Sequence, residues 1–425
     1  MLVRRGAKRR MFLFIFICVL LWIFFIDESN TRREGGLQTT RRVVSNTNSN
    51  TNTNEGIESK DSREGRERGE SGEYMNYDRD ENEDSKDLSY SINKCKVKEN
   101  FKPTVNSSFE ITLVTSWFPL GAASKHGHNQ YIEWMTTFLS AVTSPVVVFT
   151  TEEGKKDVES CRGVLPIEYI IYDDIWNYPW LQRGGIIESY TSRQYELDED
   201  KFHTPSLYAV WNSKSAMVLD VIKLNPFCSE YFFWVDIGSF RMSKYTIWPD
   251  LNRVKAVFDE RPCRLLFSMA GSLRPKANMS RPFRGLIFTG TSFGGMVPAW
   301  RWWLKEYTIL HDKWLNDGHF VGNDQMNLNV IVQRNIRRVM MLDTRDLPDA
   351  CGFFTWTPYY YYQRWFAIES ERKIAEPVDY PCPDRRVIIA EQKNDIQDWT
   401  KNGCIAEPWD SDSKVQGIPE HALIQ

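Results

Sequence analysis

Tyr231-Phe232-Phe233-Trp234-Val235-Asp236-Ile237-Gly238-Ser239-Phe240-Arg241 is the stretch from which the fold can be read. Five large apolar residues run into one carboxylate and then a glycine. A continuous apolar run of this length reads as a strand covered on both faces, as in parallel sheets. An ionised Asp is rarely buried unless it is paired or bound to a metal. Asp236 is therefore expected at the strand's C-terminal end, where open α/β sheets receive ligands. Gly238 lets backbone or ligand approach closely. Two readings of Asp236 stand side by side: an Asp that opens a turn after a core strand, or a carboxylate that meets a metal-bound diphosphate.

Strand and helix patterns alternate on both sides of this stretch. Upstream, 111–118 reads as a first strand, 145–150 as a second and 167–172 as a third. Residues 129–142 carry Tyr131, Trp134, Met135, Phe138 and Leu139 at helical spacing. Residues 206–224 repeat that spacing, with Lys214 in mid-helix, either as a surface lysine or reaching a phosphate as a point charge. Downstream come a short helix (250–258), a strand (264–269), a glycine-rich strand-loop (286–295) and a helix (299–311). The alternation argues for a mostly parallel α/β sheet flanked by helices. Residues 173–201, rich in Trp, Tyr, Gly and charge, read as a long excursion over the sheet edge that could bind an acceptor.

The remaining motifs each admit two readings. His126-Gly127-His128 is either a pair of metal ligands or two loop histidines on the surface. Gly290-Thr291-Ser292-Phe293-Gly294 matches the nucleophile elbow of α/β-hydrolases. An esterase would need an Asp and then a His downstream; Asp324, Asp343 or Asp349 could serve as the acid, and His421 is the only His beyond them. Otherwise Gly290, Gly294 and Gly295 form a loop that admits a sugar or acceptor close to the backbone. Asn323-Asp324-Gln325-Met326-Asn327 opens a helix that runs to about Gln333. Asn323 or Asp324 would cap it, and the density of amide and acid groups on one turn suits hydrogen bonding to hydroxyls.

Composition bounds the rest. A chain of 425 residues holds one large domain or two. Its net charge of −3 gives no sign of general nucleic-acid binding. Aromatic residues make up 14% of the chain, which suits stacking surfaces or a large aromatic core. Residues 1–10 are basic and precede an uncharged apolar run, 11–26, followed by Asp27 and Glu28. As a helix the run spans roughly 24 Å, and its flanks orient the N-terminus to the cytosol. It is long for a cleaved signal and lacks a small-residue cleavage site. The expected organisation is a cytosolic tail (1–10), a transmembrane signal anchor (11–26), a disordered luminal stem (27–108) poor in core-forming residues, and a globular domain (109–425). Asn106-Ser107-Ser108 and Asn278-Met279-Ser280 are N-glycosylation acceptors. Outside the apolar run there are seven cysteines, an odd number, so at least one stays free or pairs between chains.

The ordered set of an apolar strand ending in Asp-x-Gly, a glycine-rich strand-loop and an Asn-Asp-Gln helix start resembles GT-A glycosyltransferases. More closely, Thr112-Leu113-Val114-Thr115-Ser116-Trp117-Phe118, Trp211-Asn212-Ser213-Lys214, Trp234-Val235-Asp236-Ile237-Gly238 and Phe293-Gly294-Gly295 resemble the HtrL/YibB family, which is regarded as glycosyltransferase-like. The resemblance covers about 109–344. It implies a GT-A-like (Rossmann-like) fold and transfer of a sugar from a nucleotide-sugar donor to a glycan, protein or lipid acceptor in the Golgi or ER. By the same resemblance Asp236 matches the first Asp of the metal and nucleotide motif, whose second Asp is replaced here by Gly238. One carboxylate holds a divalent ion poorly, so Mn²⁺ or Mg²⁺ on the diphosphate would need a later Asp or His. Lys214 matches a donor-binding lysine, and Asp324 a base or electrostatic stabiliser near the reacting sugar. Gln325 and Asn327 would orient hydroxyls. A luminal serine esterase using Ser292 and an inactive carbohydrate-binding relative are the alternatives.

Overall fold

The computed structural model describes residues 109–199, 203–241, 244–347, 351, 357–374, 382–390 and 404. The expected tail, anchor and stem (1–108) lie outside the described residues. Among the described residues no helix is long and apolar enough to cross a membrane.

The described strands join in one sheet: β1 (Ile111–Trp117), β2 (Val146–Thr150), β3 (Ile167–Ile171), β4 (Tyr231–Val235), β5 (Leu265–Met269), β6 (Phe288–Met296), β7 (Val339–Asp343) and β8 (Val387–Ile389). Their spatial order is β3-β2-β1-β4-β6-β5-β7-β8. β3, β2, β1 and β4 run parallel. β6 lies antiparallel between β4 and β5, β5 and β7 are parallel, and β8 pairs antiparallel at the edge. The expected mostly parallel α/β sheet is what the chain forms. From β1 the chain moves outward to β2 and β3, then returns with β4 to the other flank of β1. Such a reversal of strand order opens a crevice at the strands' C-terminal ends.

The main helices are α1 (His128–Leu139), α2 (Glu152–Arg162), α3 (Pro205–Leu224), α4 (Leu251–Phe258), α5 (Val297–Asn316), α6 (Asp324–Arg334), α7 (Thr357–Phe366) and α8 (Glu369–Ile374). Side chains alternate across a strand, so the sheet feeds two cores. On β4, Phe232 and Trp234 enter one, while Tyr231, Phe233 and Val235 enter the other. Residues of α3, α5 and α6 cover the first core; residues of α1, α2, α4 and α7 cover the second. Helix starts follow local chemistry. Thr151 caps α2 by accepting from Gly154 N at 3.0 Å, and Thr204 caps α3 ahead of Pro205. Asn323 caps α6 by accepting from Gln325 N at 3.0 Å.

Two expectations are corrected here. Over 173–199 the expected excursion is a packed cover of short helical turns. Its Tyr178, Trp180, Leu181, Ile186 and Tyr190 are buried in the first core, so most of its aromatic content is core rather than binding loop. The glycine-rich segment is strand β6 through Met296, not a ligand loop. Gly294 faces Phe233 of β4 across the ladder, and a Cβ there would overlap the Phe233 ring. A Cβ on Gly295 would stand 2.7 Å from Leu265 Cδ2 and 2.8 Å from Arg264 O. These glycines let an inserted antiparallel strand sit flush against its neighbours.

Candidate active site

Lys214, Asp236 and Asp324 come from three elements and meet beside the crevice. Lys214 lies in the middle of α3, Asp236 follows the last residue of β4, and Asp324 is the first residue of α6. The Lys214 ammonium donates to Asp324 Oδ2 at 2.8 Å and to the Gly290 carbonyl at 2.9 Å, and lies 3.0 Å from Asp236 Oδ1. Three donors thus meet three acceptors, which satisfies a buried ammonium. Gly290 is needed for this approach, because a Cβ there would stand 2.6 Å from Asp324 Oδ2.

Asp236 is held from all sides. Its backbone N–H donates to Thr291 O at 2.8 Å, and its carbonyl accepts from Ser239 N at 2.9 Å to close a tight turn. Its Oδ1 also accepts from Trp234 Nε1 at 2.7 Å. The side chain of Asp236 remains 30% exposed, against 5% for Lys214 and 9% for Asp324, so it is the member of the trio that meets solvent. Burial pushes the Asp236 carboxyl above the ordinary aspartate range; Lys214 pulls it down, and the nearby Asp324 charge adds to the rise. Burial also opposes the charge on Lys214, but Asp236 and Asp324 outweigh it and hold its pKa above the usual lysine value. The lysine is therefore a fixed cation at neutral pH.

The walls come from the loop after β1, the turn after β4 and two helices. A Cβ on Gly238 would meet Trp134 at 3.0 Å and Tyr131 at 3.2 Å, so glycine lets these α1 aromatics lie over the turn. Arg241 donates from Nε to Gly238 O at 2.9 Å. Its guanidinium stacks 3.6 Å from the Trp134 ring centre and 5.1 Å from that of Tyr360. His126 Nε2 lies 3.4 Å from Arg241 Nη2. Burial, then Arg241 and Lys125, lower the His126 pKa to about 4, so this imidazole is neutral at neutral pH. The Lys125 ammonium sits over Trp211 at 5.8 Å. Burial lowers the pKa of both Lys125 and Arg241, and Lys125 is lowered further by Arg241. On the other side Gln325 Nε2 donates to Tyr359 Oη at 3.1 Å.

The donor set does not fit the metal role expected of Asp236. Its Oδ1 already receives Trp234 and Lys214, and the second carboxylate, Asp324, is engaged by the same ammonium. A divalent ion there would face a fixed positive charge. Among the described residues no group of three His, Cys, Asp or Glu side chains could hold a metal. His128 lies instead 3.7 Å from Asp157.

Lys214, Asp236, Asp324 and Gly290 are thus brought together, with Gly238 and Gln325 at the walls. Asn327 is not. It is fully buried, with Nδ2 donating to Asn212 Oδ1 and Val321 O at 2.9 Å, so it joins helices inside the core rather than meeting a ligand. Ser292 is also fully buried, in mid-strand opposite Val235. Its hydroxyl donates to Thr291 O and accepts from Gln363, neither of them a histidine, and the strand-to-helix elbow is lacking. The sequence reading missed Lys125, Tyr131 as a wall residue, Arg241, Tyr359 and Tyr360. Arg241 closes the stretch quoted first, and the run Tyr359-Tyr360-Tyr361-Tyr362 is an unusual composition signal that invited attention.

No protein-family model matches the sequence, and no curated protein matches it. Among solved structures the chain is similar to mouse xyloside xylosyltransferase 1 in its apo form, at 12% identity and a TM-score of 0.34, over 59% of this chain and 93% of that one. It is also similar to core-mannan synthase A (CmsA/Ktr4) of Aspergillus fumigatus in its Mn/GDP form, at 12% identity and a TM-score of 0.34, over 57% of this chain and 81% of that one. Likeness at this level assigns nothing to the site, whose reading rests on its own residues.

Proposed function

We propose that the domain is a glycosyltransferase that moves a sugar from a nucleotide-sugar donor to a glycan, protein or lipid acceptor. The observation that supports this best is the trio of Lys214, Asp236 and Asp324 at the strand-order switch, with only Asp236 partly open to solvent. Sugar transfer passes through an oxocarbenium-like state, and fixed carboxylates stabilise positive charge developing in a site of low dielectric. Asp324, paired with Lys214 at the start of α6, is the carboxylate assigned to the reacting sugar. Asp236 binds the donor, and Gln325, steadied by Tyr359, orients a hydroxyl. The half-buried rings of Tyr131 and Tyr360 suit stacking of a base or sugar ring. The expected luminal setting agrees with the exposed sequon residue Asn278.

The full-length chain in detergent is offered a panel of nucleotide sugars, with thermal stabilisation and transfer or hydrolysis as readouts. One donor should raise the melting temperature by mass action and be turned over. Asp236→Asn should cut turnover by roughly 10² or more, about 2.7 kcal/mol of transition-state stabilisation, while Ser292→Ala should leave donor turnover alone. Ester hydrolysis that depends on Ser292 would overturn the proposal. The absence of the second Asp favours one other reading, an inactive carbohydrate-binding relative; donor or glycan binding without turnover by any donor would select it.

A further inference from the structure

Two cations at this site are left without a carboxylate. Lys214 is more than balanced by Asp236 and Asp324. Lys125 and Arg241, by contrast, have no acidic side chain within salt-bridge distance among the described residues. Arg241 is held by the Gly238 carbonyl and the Trp134 face, contacts that steady the guanidinium without neutralising it. Lys125 lies over an indole. Arg241 lowers the Lys125 pKa while Asp324 and Asp236 raise it, and Asp236 also raises that of Arg241, so all four groups share one region. Like charges brought together on the segments after β1 and β4, at the strand-order switch, create a field that suits an anion of more than one charge. The guanidinium matches phosphate oxygens in pairs, and the ammonium adds a point charge. The ordinary alternative, a divalent cation on the diphosphate, meets a donor set already occupied by Lys214 and Trp234.

Resting on the glycosyltransferase reading, we infer that Lys125 and Arg241 hold the diphosphate of the donor and its leaving group directly, so that binding and transfer need no divalent cation. In the transfer step the bond between the anomeric carbon and the diphosphate oxygen breaks, and the electron pair leaves with the diphosphate. The acceptor oxygen forms the new bond and gives up its proton to solvent water. Lys125 and Arg241 balance the charge gathering on the leaving oxygens.

The test uses the full-length chain in detergent, with inorganic pyrophosphate, UDP and GDP as probes. Binding is measured by calorimetry in EDTA and again with added Mn²⁺. At least one probe should bind in EDTA, and Lys125→Ala and Arg241→Gln should each weaken it about tenfold, the loss of one charge-assisted contact. Lys125 lies on a loop outside both cores, so its variant should melt like the unmodified protein even if Arg241→Gln does not. Binding only after Mn²⁺ is added overturns the inference, as does unchanged affinity in Lys125→Ala, or no binding of any probe in either condition. The outcome separates from that of the parent reading. Metal-free probe binding without turnover of any nucleotide sugar leaves the metal-free diphosphate site standing and sinks the transferase. Turnover that stops in EDTA does the reverse.

Discussion

At the scale of single residues the site is a trade between stability and charge. The folded state holds a proton on Asp236 more tightly than the unfolded chain does, because burial raises its pKa above the ordinary aspartate value of 3.8. Stability that protonated Asp236 contributes below that value is lost as pH rises through the raised folded pKa. Asp236→Asn should therefore melt no lower than the unmodified protein at pH 7, since Lys214 keeps Asp324 and the Gly290 carbonyl as partners. Thermal melts at pH 5 and pH 7 check this; a clear drop at pH 7 would show that the charge is structural. Donor turnover should run the other way. It should fall as pH drops through the same raised value, with an acid limb that Asp236→Asn abolishes along with most activity. Gly290→Ala is the steric counterpart. It presses on Asp324 Oδ2 and should cost turnover at least tenfold, about 1.4 kcal/mol, with a smaller effect on melting. The trio was legible in the sequence because a lone carboxylate ending an apolar strand and a polar knot opening a helix are local anomalies. Lys125 and Arg241 were not: their role comes from two loops meeting, and no local pattern marks a cation whose acidic partner is missing.

At the scale of elements, the sequence showed strands and helices more readily than it showed which face each residue took. The strand-loop reading of 286–295 failed because glycine carries no hydrophobic period; only the register with β4 reveals that Gly294 must make room for Phe233. Gly294→Val should accordingly prevent folding or cost at least about 3 kcal/mol by overpacking, read as a denaturant midpoint against Gly238→Ala as a milder comparison. The amides of α6 misled for a similar reason. Asn327 reads with Asn323, Asp324 and Gln325 as hydroxyl-binding, yet it is buried, and nearby Asn329 likewise donates to Phe283 and Gly285 carbonyls and accepts from Ile287 and Phe288 N–H groups. A buried amide and a binding amide have the same letter, and distant partners decide between them. Arg162 carries the lesson in a basic residue. It is 2% exposed and donates to the carbonyls of Leu139, Val142, Ser144 and Pro166, which ties the end of α1 to the entries of β2 and β3. Arg162→Met would strand those carbonyls and should cost about 3 kcal/mol.

At the scale of the whole molecule, the cysteines argue for a compartment. Cys263 bonds Cys404 across 141 residues and Cys351 bonds Cys382 across 31, while Cys161 is free and buried. Structural disulfides persist in oxidising surroundings such as the secretory lumen, and closing loops of these lengths restricts the unfolded chain by several kcal/mol, roughly 3 to 5 each in the entropic account. The basic flank before the apolar run at 11–26 predicts the same placement from independent physics, since short basic loops stay on the cytosolic side. We therefore expect the domain to lie inside sealed microsomes. Protease added outside should leave a fragment containing 109–425 intact, and detergent should expose it. Glycosidase should shift its mobility if Asn278 is used, because the Asn278 side chain is exposed. Reductant should lower its melting temperature, and alkylation of Cys161 should appear only on unfolding. Digestion of the domain in sealed vesicles would sink the luminal placement while leaving the fold and the chemistry of Lys214, Asp236 and Asp324 to stand on their own tests.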